Sequence, residues 1–419
     1  MVESHANSVD DYLIEGLSFK LSPGASYVTN RRSVSFFPSG SDTYSSTSGV
    51  KVIKIKLNGT DWLDPSTVKV MFNINNVTAD MNFLSGAHSF FRRLRVVCNG
   101  QIVEDIDDYN RVCEMFNMLQ SSSVRTNDEI EGVSRWDGGM APETLVAGKS
   151  RKVGMKLCSG LLNQTKMLPI RYCPLEIELE LVNAVGDAQH GSTAWTISDV
   201  QLKADLCTLD NALENSYAKH LFEGKALPIN YSTYISQSQT VTDFNFNINV
   251  ARAVTRLKSI FLSMDGAPNA TYNTKLKEFN NFWHPMSSAS ASGTYDMGKE
   301  VELHVQIGSK LYPEYPIRSA SESFSQLRKT MGIHQSPFHS LDVSGLQYRS
   351  HKFIASIDTE KVLEAGFTGL NTRAGDLLTI KVKALDPAGM GATVPTKFFT
   401  VLHSDNILEI KESGVTVFD

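Results

Sequence analysis

The sequence lacks the features that mark several protein classes. Its longest apolar runs span about half a dozen residues, well short of the roughly 20 that a membrane-spanning helix needs, so we expect no membrane-spanning segment. No block of five or six basic residues occurs, and 40 Lys and Arg stand against 45 Asp and Glu, for a net charge of −5. We therefore expect neither electrostatic wrapping of nucleic acid nor sequence-specific nucleic-acid binding.

Cysteine is scarce, with five residues and no CxxC pair. The five are Cys98, Cys113, Cys158, Cys173 and Cys207. We interpret them as reduced core residues of a protein made in a reducing compartment. The first residues, MVESHANSVDDYL, are acidic and polar, whereas a signal peptide begins cationic and continues apolar, so we expect no secretion by a signal peptide.

Motifs for cofactors and metals are incomplete. Gly148-Lys149-Ser150 matches the tail of a phosphate-binding loop, but Glu143 stands where the first glycine is required, which favours a polar turn before a strand. Three histidines lie close together, at His334, His339 and His351. They flank a proline-containing stretch and lack a nearby glutamate, so we interpret them as solvated loop residues. The sequence predicts no cofactor and no metal site.

Paired carboxylates are present, but in a structural pattern. Glu176, Glu178 and Glu180 alternate with apolar residues, which places them on one face of a strand. We interpret them as a solvated strand edge or an interface rather than a catalytic pair. No GxSxG motif occurs, and no cysteine has a neighbour in the sequence that would activate it. The sequence therefore predicts no catalytic residues and no enzymatic activity.

Apolar and polar residues alternate along most of the chain. The clearest case runs from Leu175 to Leu181 and predicts a strand with one buried face. We predict about sixteen strands of this kind. Helical spacing is confined to three short segments, Asp108 to Leu119, Asp210 to Phe222 and Ser319 to Met331. The pattern therefore predicts an all-β fold with antiparallel sheets.

The two halves of the chain share a pattern. Leu94 to Cys98 lead into Gly100, and Leu303 to Ile307 lead into Gly308. An aromatic residue and a leucine then follow each glycine at equal distances, namely Phe116 and Leu119 in the first half and Phe324 and Leu327 in the second. Because open sheets seldom exceed about ten strands, this repeat predicts two all-β domains of about 200 residues, with the helix Asp210 to Phe222 as a candidate connection.

Three segments resemble a known family. Val301 to Ile317, followed by the helix Glu322 to Met331, resembles the second jelly roll of the major capsid proteins of polinton-like viruses and virophages. Phe90 to Leu119 is similar to the corresponding element of their first jelly roll, and Asn281 to Met286 is similar to an aromatic-His-Pro segment of the same proteins. These proteins belong to the adenovirus-type lineage of double-stranded DNA viruses.

The resemblance implies an architecture and a role. It implies two tandem eight-stranded jelly-roll β-sandwiches, each with a short helix, and three chains that form a pseudo-hexameric, hexon-like homotrimer. The implied function is that of a major capsid protein that tiles an icosahedral shell. The implied partners are other copies, neighbouring capsomers, and penton and minor capsid proteins. The implied location is the virion, after synthesis and assembly inside the host cell.

We expect four parts along the chain: an N-terminal arm at 1–24, a first jelly roll at 25–212, a linker at 213–228, and a second jelly roll with a C-terminal extension at 229–419. Three long connections are expected on the outer surface of the capsomer, namely Ser121 to Ser150, Gly266 to Gly298 and Gly332 to Ser350. The terminal segments Met1 to Asp11 and Glu409 to Asp419 are candidates for holding neighbouring capsomers.

Two other functions stay open. A tandem β-sandwich binding module, of the carbohydrate-binding or fibre type, would usually expose several aromatic residues on one face. The four tryptophans are scattered at Trp62, Trp136, Trp195 and Trp283. A jelly-roll enzyme of the cupin or lyase type needs a metal or acid–base cluster, which the sequence does not offer.

Overall fold

The computed structural model describes residues 27–47, 50–133, 144–266, 282–288, 295–334, 341–361, 368–373, 377–390 and 394–419. The predicted N-terminal arm at 1–24 lies outside these residues. Within them, the chain forms two β-sandwiches in sequence, called roll 1 and roll 2 here. No helix in the described part is long and apolar enough to cross a membrane.

Roll 1 contains thirteen of the described strands. They are β1 Val28–Phe36, β2 Thr43–Tyr44, β3 Val52–Leu57, β4 Trp62–Asn76, β5 Met81–Phe83, β6 Phe91–Cys98, β7 Gln101–Ile106, β8 Thr144–Leu145, β9 Ser150–Lys156, β10 Leu168–Pro169, β11 Leu175–Leu181, β12 Gln189–His190 and β13 Trp195–Leu209.

Roll 2 contains nine of the described strands. They are β14 Leu227–Thr240, β15 Phe246–Val250, β16 Leu257–Gly266, β17 Val301–Ile307, β18 Lys310–Ile317, β19 Ala355–Asp358, β20 Leu378–Ala384, β21 Pro395–Lys411 and β22 Gly414–Phe418.

Six α-helices occur among the described residues. They are α1 Tyr109–Met118, α2 Ser122–Asp128, α3 Asn211–Phe222, α4 Ala320–Thr330, α5 Gly345–Tyr348 and α6 Pro387–Met390. The three predicted helical segments correspond to α1, α3 and α4. Helix α3 connects the rolls, and Asp210 caps its N-terminus by accepting a hydrogen bond from the Ala212 amide.

The two rolls have the same strand order. One sheet of roll 1 runs β1-β13-β4-β10, and its counterpart in roll 2 runs β14-β21-β16-β19. The other sheets run β3-β11-β6-β7 and β15-β20-β17-β18. All these pairs are antiparallel, and two such sheets packed face to face form each jelly roll. The prediction of two tandem jelly rolls is confirmed.

The cores follow the predicted alternation. Leu175, Ile177, Leu179 and Leu181 are buried between the sheets of roll 1, and Val301, Leu303, Val305 and Ile307 are buried in roll 2. Since successive side chains of a strand point to opposite faces, the intervening polar residues lie on the outer faces. Strand β4 begins at Trp62 and continues through Asp64-Pro65, where a register shift against β13 accommodates the proline.

The repeat of the two halves is real, but its spacing is not constant. At the hairpin turns, Cys98 and Gln101 correspond to Ile307 and Lys310. The N-caps of the helices that follow are Asp108 and Ser319, so the stretch from turn to helix is longer in roll 2. The counterpart of Phe116 is therefore Leu327 and not Phe324. The alignment of Gly100 with Gly308, on which the equal distances were based, is therefore wrong by one position in the turn.

The interpretation of all cysteines as reduced is wrong for two of them. Cys98 and Cys173 are joined in a disulfide, with their Cα atoms 5.7 Å apart. Cys98 ends β6, and Cys173 lies just before β11, the strand that pairs with β6. Neighbouring strand ends bring the two Cβ atoms into bonding range, although 75 residues separate them in the sequence. Cys113, Cys158 and Cys207 are free thiols.

Candidate interaction surfaces

The rolls meet through helix α1 of roll 1, at a surface that we call the joint. On the roll 2 side, the joint consists of β14, β21 and β16. The Phe116 ring lies 4.6 Å from the ring of Tyr234 on β14 and 5.4 Å from that of Phe261 on β16, measured between centroids. Tilted and edge-on aromatic pairs at such distances are favourable. Phe116 therefore anchors roll 1 on the outer face of this roll 2 sheet.

A buried ion pair lies beside this aromatic cluster. Arg111 of α1 contacts the Asp265 carboxylate of β16 at 2.5 Å, and each side chain is only 4% exposed. The guanidinium carbon also lies 4.0 Å from the ring centroid of Phe282 and 4.9 Å from that of Phe399. Both aromatic rings belong to roll 2, so the cation is surrounded by roll 2 groups. A charge held in this way requires its partner to stay in place.

A second buried acid completes the joint. Glu104 of β7 accepts hydrogen bonds from the Ser159 hydroxyl and from the Gly160 amide, the latter at 2.9 Å. Burial raises the pKa of Glu104, and a hydrogen bond from Thr233 of roll 2 acts in the opposite direction. The Gly160 backbone is so close to roll 2 that an added Cβ would lie 1.3 Å from the Ser232 carbonyl oxygen. Glycine is therefore required at this contact.

The joint changes the burial pattern of the strand it covers. Along β16 every residue from Ser259 to Asp265 is buried. Along its roll 1 counterpart β4, buried residues from Val68 to Asn76 alternate with half-exposed ones. The core-facing rows are equivalent, so the difference comes from the outer row, which α1 covers in roll 2. Among the described residues, the corresponding outer row of roll 1 stays half-exposed, and Lys69 in this row pairs with Glu131 of the same roll.

The counterpart of α1 is open as well. Strand β18 and helix α4 follow β17 in roll 2 as β7 and α1 follow β6 in roll 1. On β18, Leu311 is 41% exposed and Tyr315 is 81% exposed. Among the described residues, each chain therefore has one helix–sheet contact formed, and its second unit and second sheet keep exposed outer residues.

The three long connections predicted for one surface approach one another where they are described. The Phe282 amide donates to the His351 carbonyl at 2.8 Å, which links the second connection to the end of the third. Hydrogen bonds from Ser122 of the first connection lower the pKa of Asp342 in the third. The central parts of these connections, at 134–143, 267–281, 289–294 and 335–340, lie outside the described residues.

The glutamate ladder forms an ion-pair network, and it lies on a central strand instead of an edge. Strand β11 pairs with β3 on one side and β6 on the other. Glu178 contacts Lys54 of β3 and, at 3.2 Å, Arg95 of β6. These cations lower the pKa of Glu178, against the effect of its partial burial. The carboxylates are thus matched by cross-strand cations.

The remaining motifs have local structural roles. Ala147 and Gly148 form a turn, closed by a hydrogen bond from the Lys149 amide to the Val146 carbonyl, that leads into β9 as predicted. The ring of His351 shares a 2.8 Å hydrogen bond with Ser350, His334 is exposed, and His339 lies outside the described residues. Within the described part of the chain, no group of three or more His, Cys, Asp or Glu residues could hold a metal ion. The terminal segment Glu409 to Asp419 pairs with its own roll as the β21–β22 hairpin.

No protein-family model and no curated sequence matches the chain. Solved structures do match it. The PBCV-1 protein VP54, fitted into a reconstruction of the virophage Sputnik, superposes with a TM-score of 0.63 at 14% identity and covers 96% of this chain and 99% of its own. The Sputnik virophage structure superposes with a TM-score of 0.59 at 9% identity, and the match covers 96% of this chain and 90% of that one. The Faustovirus major capsid protein superposes with a TM-score of 0.59 at 8% identity, and the match covers 94% of this chain and 92% of that one.

The chain has the fold of these viral proteins. The match includes both rolls, since almost the whole length of each chain is covered. At these identities the similarity shows the fold only. The sequence resemblance to capsid proteins was therefore correct about the fold.

The residues of the joint were not predicted as a site. Arg111 and Asp265 lie far apart in the sequence, and no local pattern connects them. One signal was available. The segment from Arg111 to Met115 mixes charged residues with apolar ones, whereas a helix with a single buried face keeps its charged residues on the opposite face.

Proposed function

We propose that this chain is the major capsid protein of an icosahedral double-stranded DNA virus, with a structural and not an enzymatic role. The observation that supports this most is the match of both rolls, over 94% of the chain, to a viral major capsid protein. A pair of sandwiches with the same strand order is suited to shell building, because each chain presents two similar outer surfaces to its neighbours. The proposed location is the capsid of the virion.

The proposal includes a homotrimer. Three chains would place six similar rolls in a ring, which imitates sixfold symmetry with a threefold axis. The proposed partners are further copies in neighbouring capsomers and separate penton and minor proteins at other positions of the shell. The convergence of the connections at Ser122, Phe282 and Asp342 supports the proposal that this end faces outward.

The first experiment is the solution mass of the purified protein by light scattering, together with negative-stain imaging. We expect a particle of three chains, each of 46.3 kDa, with a hexagonal outline. A stable 46.3 kDa particle with two lobes would contradict the capsomer. It would favour the alternative, a tandem β-sandwich binding module, for which a glycan screen would be the next measurement.

A further inference from the structure

The internal repeat supplies a template for a contact between copies. Within one chain, the β7–α1 unit of roll 1 covers the outer face of the β14–β21–β16 sheet in roll 2. Roll 2 has a unit of the same topology, β18–α4, and roll 1 has a sheet of the same strand order, β1–β13–β4. One chain therefore carries one complete joint. It also carries a second unit, β18–α4, and a second sheet, β1–β13–β4, that do not take part in this joint.

The β18 unit has a protrusion where the template makes contact. In the β17–β18 hairpin, Val305 pairs with Tyr312, and the next pair is Leu303 with Ile317. The residues from Pro313 to Pro316 therefore bulge out of the ladder, whereas the corresponding shift in β7 involves a single residue. Tyr315 lies in this bulge with 81% of its surface exposed. An exposed tyrosine on a protruding segment is typical of a contact residue.

In the described part of the chain, the sheet of roll 1 ends at strand β1, which pairs with β13 on one side only. Strand β1 corresponds to β14, the strand that β7 contacts in the joint, where the Tyr231 hydroxyl donates to the Val103 carbonyl at 3.0 Å. The first six residues of β1 are exposed, and Val34 and Phe36 pack inward. Ser35 therefore points to the outer face. An edge strand presents unpaired backbone N–H and C=O groups that a partner can use.

We propose that the Tyr315 bulge of one copy docks on strand β1 of the next copy, in the way that β7 docks on β14 within a chain. This inference rests on the proposed capsomer and names its contact. The two surfaces differ, so the contact is heterologous, and it closes after three copies when the ring contains six rolls. The receiving face carries Lys69, Asn73 and Gln201 in half-exposed positions, so this contact is more polar than the joint.

Two variants test the two sides of the contact. Tyr315→Arg places a charge on the bulge, and Ser35→Arg places a long cation on the outer face of β1. We expect each to raise the concentration at which trimers dissociate at least tenfold, and to give 46.3 kDa monomers under conditions that keep the parent chain trimeric. The matched control is Val77→Arg, an exposed apolar residue that directly follows the end of β4, which should leave the mass unchanged. Equal thermal unfolding of all three would show that the fold is intact.

Mixing the variants tests the direction of the contact. Tyr315→Arg keeps an intact β1, and Ser35→Arg keeps an intact bulge. An equimolar mixture should therefore form heterodimers, with twice the mass of the 46.3 kDa chain, but no trimer. Monomers in the mixture would overturn the pairing of these two surfaces. Trimers of either variant alone would overturn this inference and leave the capsomer standing, whereas a monomeric parent chain would contradict the capsomer itself.

Discussion

The units β7–α1 and β18–α4 have the same topology and opposite surroundings. Helix α1 is buried on nearly every side, including Arg111 and Glu114, because the core of roll 1 lies on one side and roll 2 on the other. Helix α4 buries only Ala320, Ser323 and Leu327, and its other residues are at least partly exposed. The comparison shows that one supersecondary unit serves either as a buried connection or as an open surface, depending on which residues occupy its outer side.

The largest expected effect comes from the ion pair that distinguishes α1 from α4. Arg111→Ala leaves the Asp265 carboxylate buried without this partner, and such a loss typically costs about 3–5 kcal/mol of unfolding free energy. The measurement is a urea titration followed by tryptophan fluorescence. We expect the transition to move to lower urea, with roll 2 affected because Asp265 belongs to it.

The exposed pair of Lys225 with Glu223, whose side chains are 59% and 45% exposed, provides the matched control. Lys225→Ala should cost less than about 1 kcal/mol, since solvent screens surface pairs. Equal effects of the two variants would show that the joint contributes no more than a surface pair and would remove the contrast between α1 and α4.

A second variant separates the rolls sterically. In Gly160→Ala, the new methyl group would overlap the Ser232 carbonyl, so the rolls must move apart or the loop must shift. Overpacking of this kind costs about 1–3 kcal/mol. The expected results are a lower melting temperature and faster proteolysis at helix α3, which connects the rolls.

Gly132→Ala is the control for Gly160→Ala, because the closest atom to its added Cβ, the Asp128 carbonyl oxygen, is 3.6 Å away. The stability of that variant should lie within about 0.5 kcal/mol of the parent chain, as it does for most surface substitutions. If Gly160→Ala melted as the control does, the two rolls would be less closely apposed than a distance of 1.3 Å between the added Cβ and the Ser232 oxygen implies.

The strands and helices could be predicted from the sequence because alternation and helical spacing are local signals. Strand β11 and helix α1 were both predicted within a residue or two of their bounds. The prediction of equal spacing in the two halves was wrong, because the bulge at Pro313 to Pro316 adds residues that no periodic pattern reveals. The disulfide was not predicted for a similar reason, since Cys98 and Cys173 become neighbours only when β6 and β11 pair.

The joint was beyond the reach of local patterns. The outer row of β16 contains Ser259, Phe261, Ser263 and Asp265, which is as polar as the row of an exposed strand. Its burial depends on Arg111 and Phe116, which arrive from the other roll. A buried polar residue becomes predictable only when its partner is known, because the partner offsets the free-energy cost of burial.

The smallest effect is a difference in acid response between two buried histidines of roll 2 and Glu104 of roll 1. Burial lowers the pKa of His284 to about 3 and that of His403 to about 4; both residues lie in roll 2. An unfolded histidine has a pKa of about 6.5, so the stabilisation is complete above that pH and is lost as the pH falls toward the folded value. For Glu104 in the joint the pKa is raised, so its contribution has the opposite sign and favours the folded state at lower pH.

His284→Asn isolates one of these contributions. The asparagine oxygen can accept the hydrogen bond that the Met286 amide donates to Nδ1 of His284 at 3.1 Å. His284 also lies near Arg349, which lowers its pKa further, and 4.0 Å from Glu300, whose own pKa burial raises. Between pH 6.5 and 5, the parent chain should lose up to about 1.4 kcal/mol per pH unit through this histidine, and the variant should lack that part of the slope. Identical slopes in urea titrations across this range would mean that His284 titrates in the folded chain as it does in the unfolded one, and that the contrast in acid response does not include this residue.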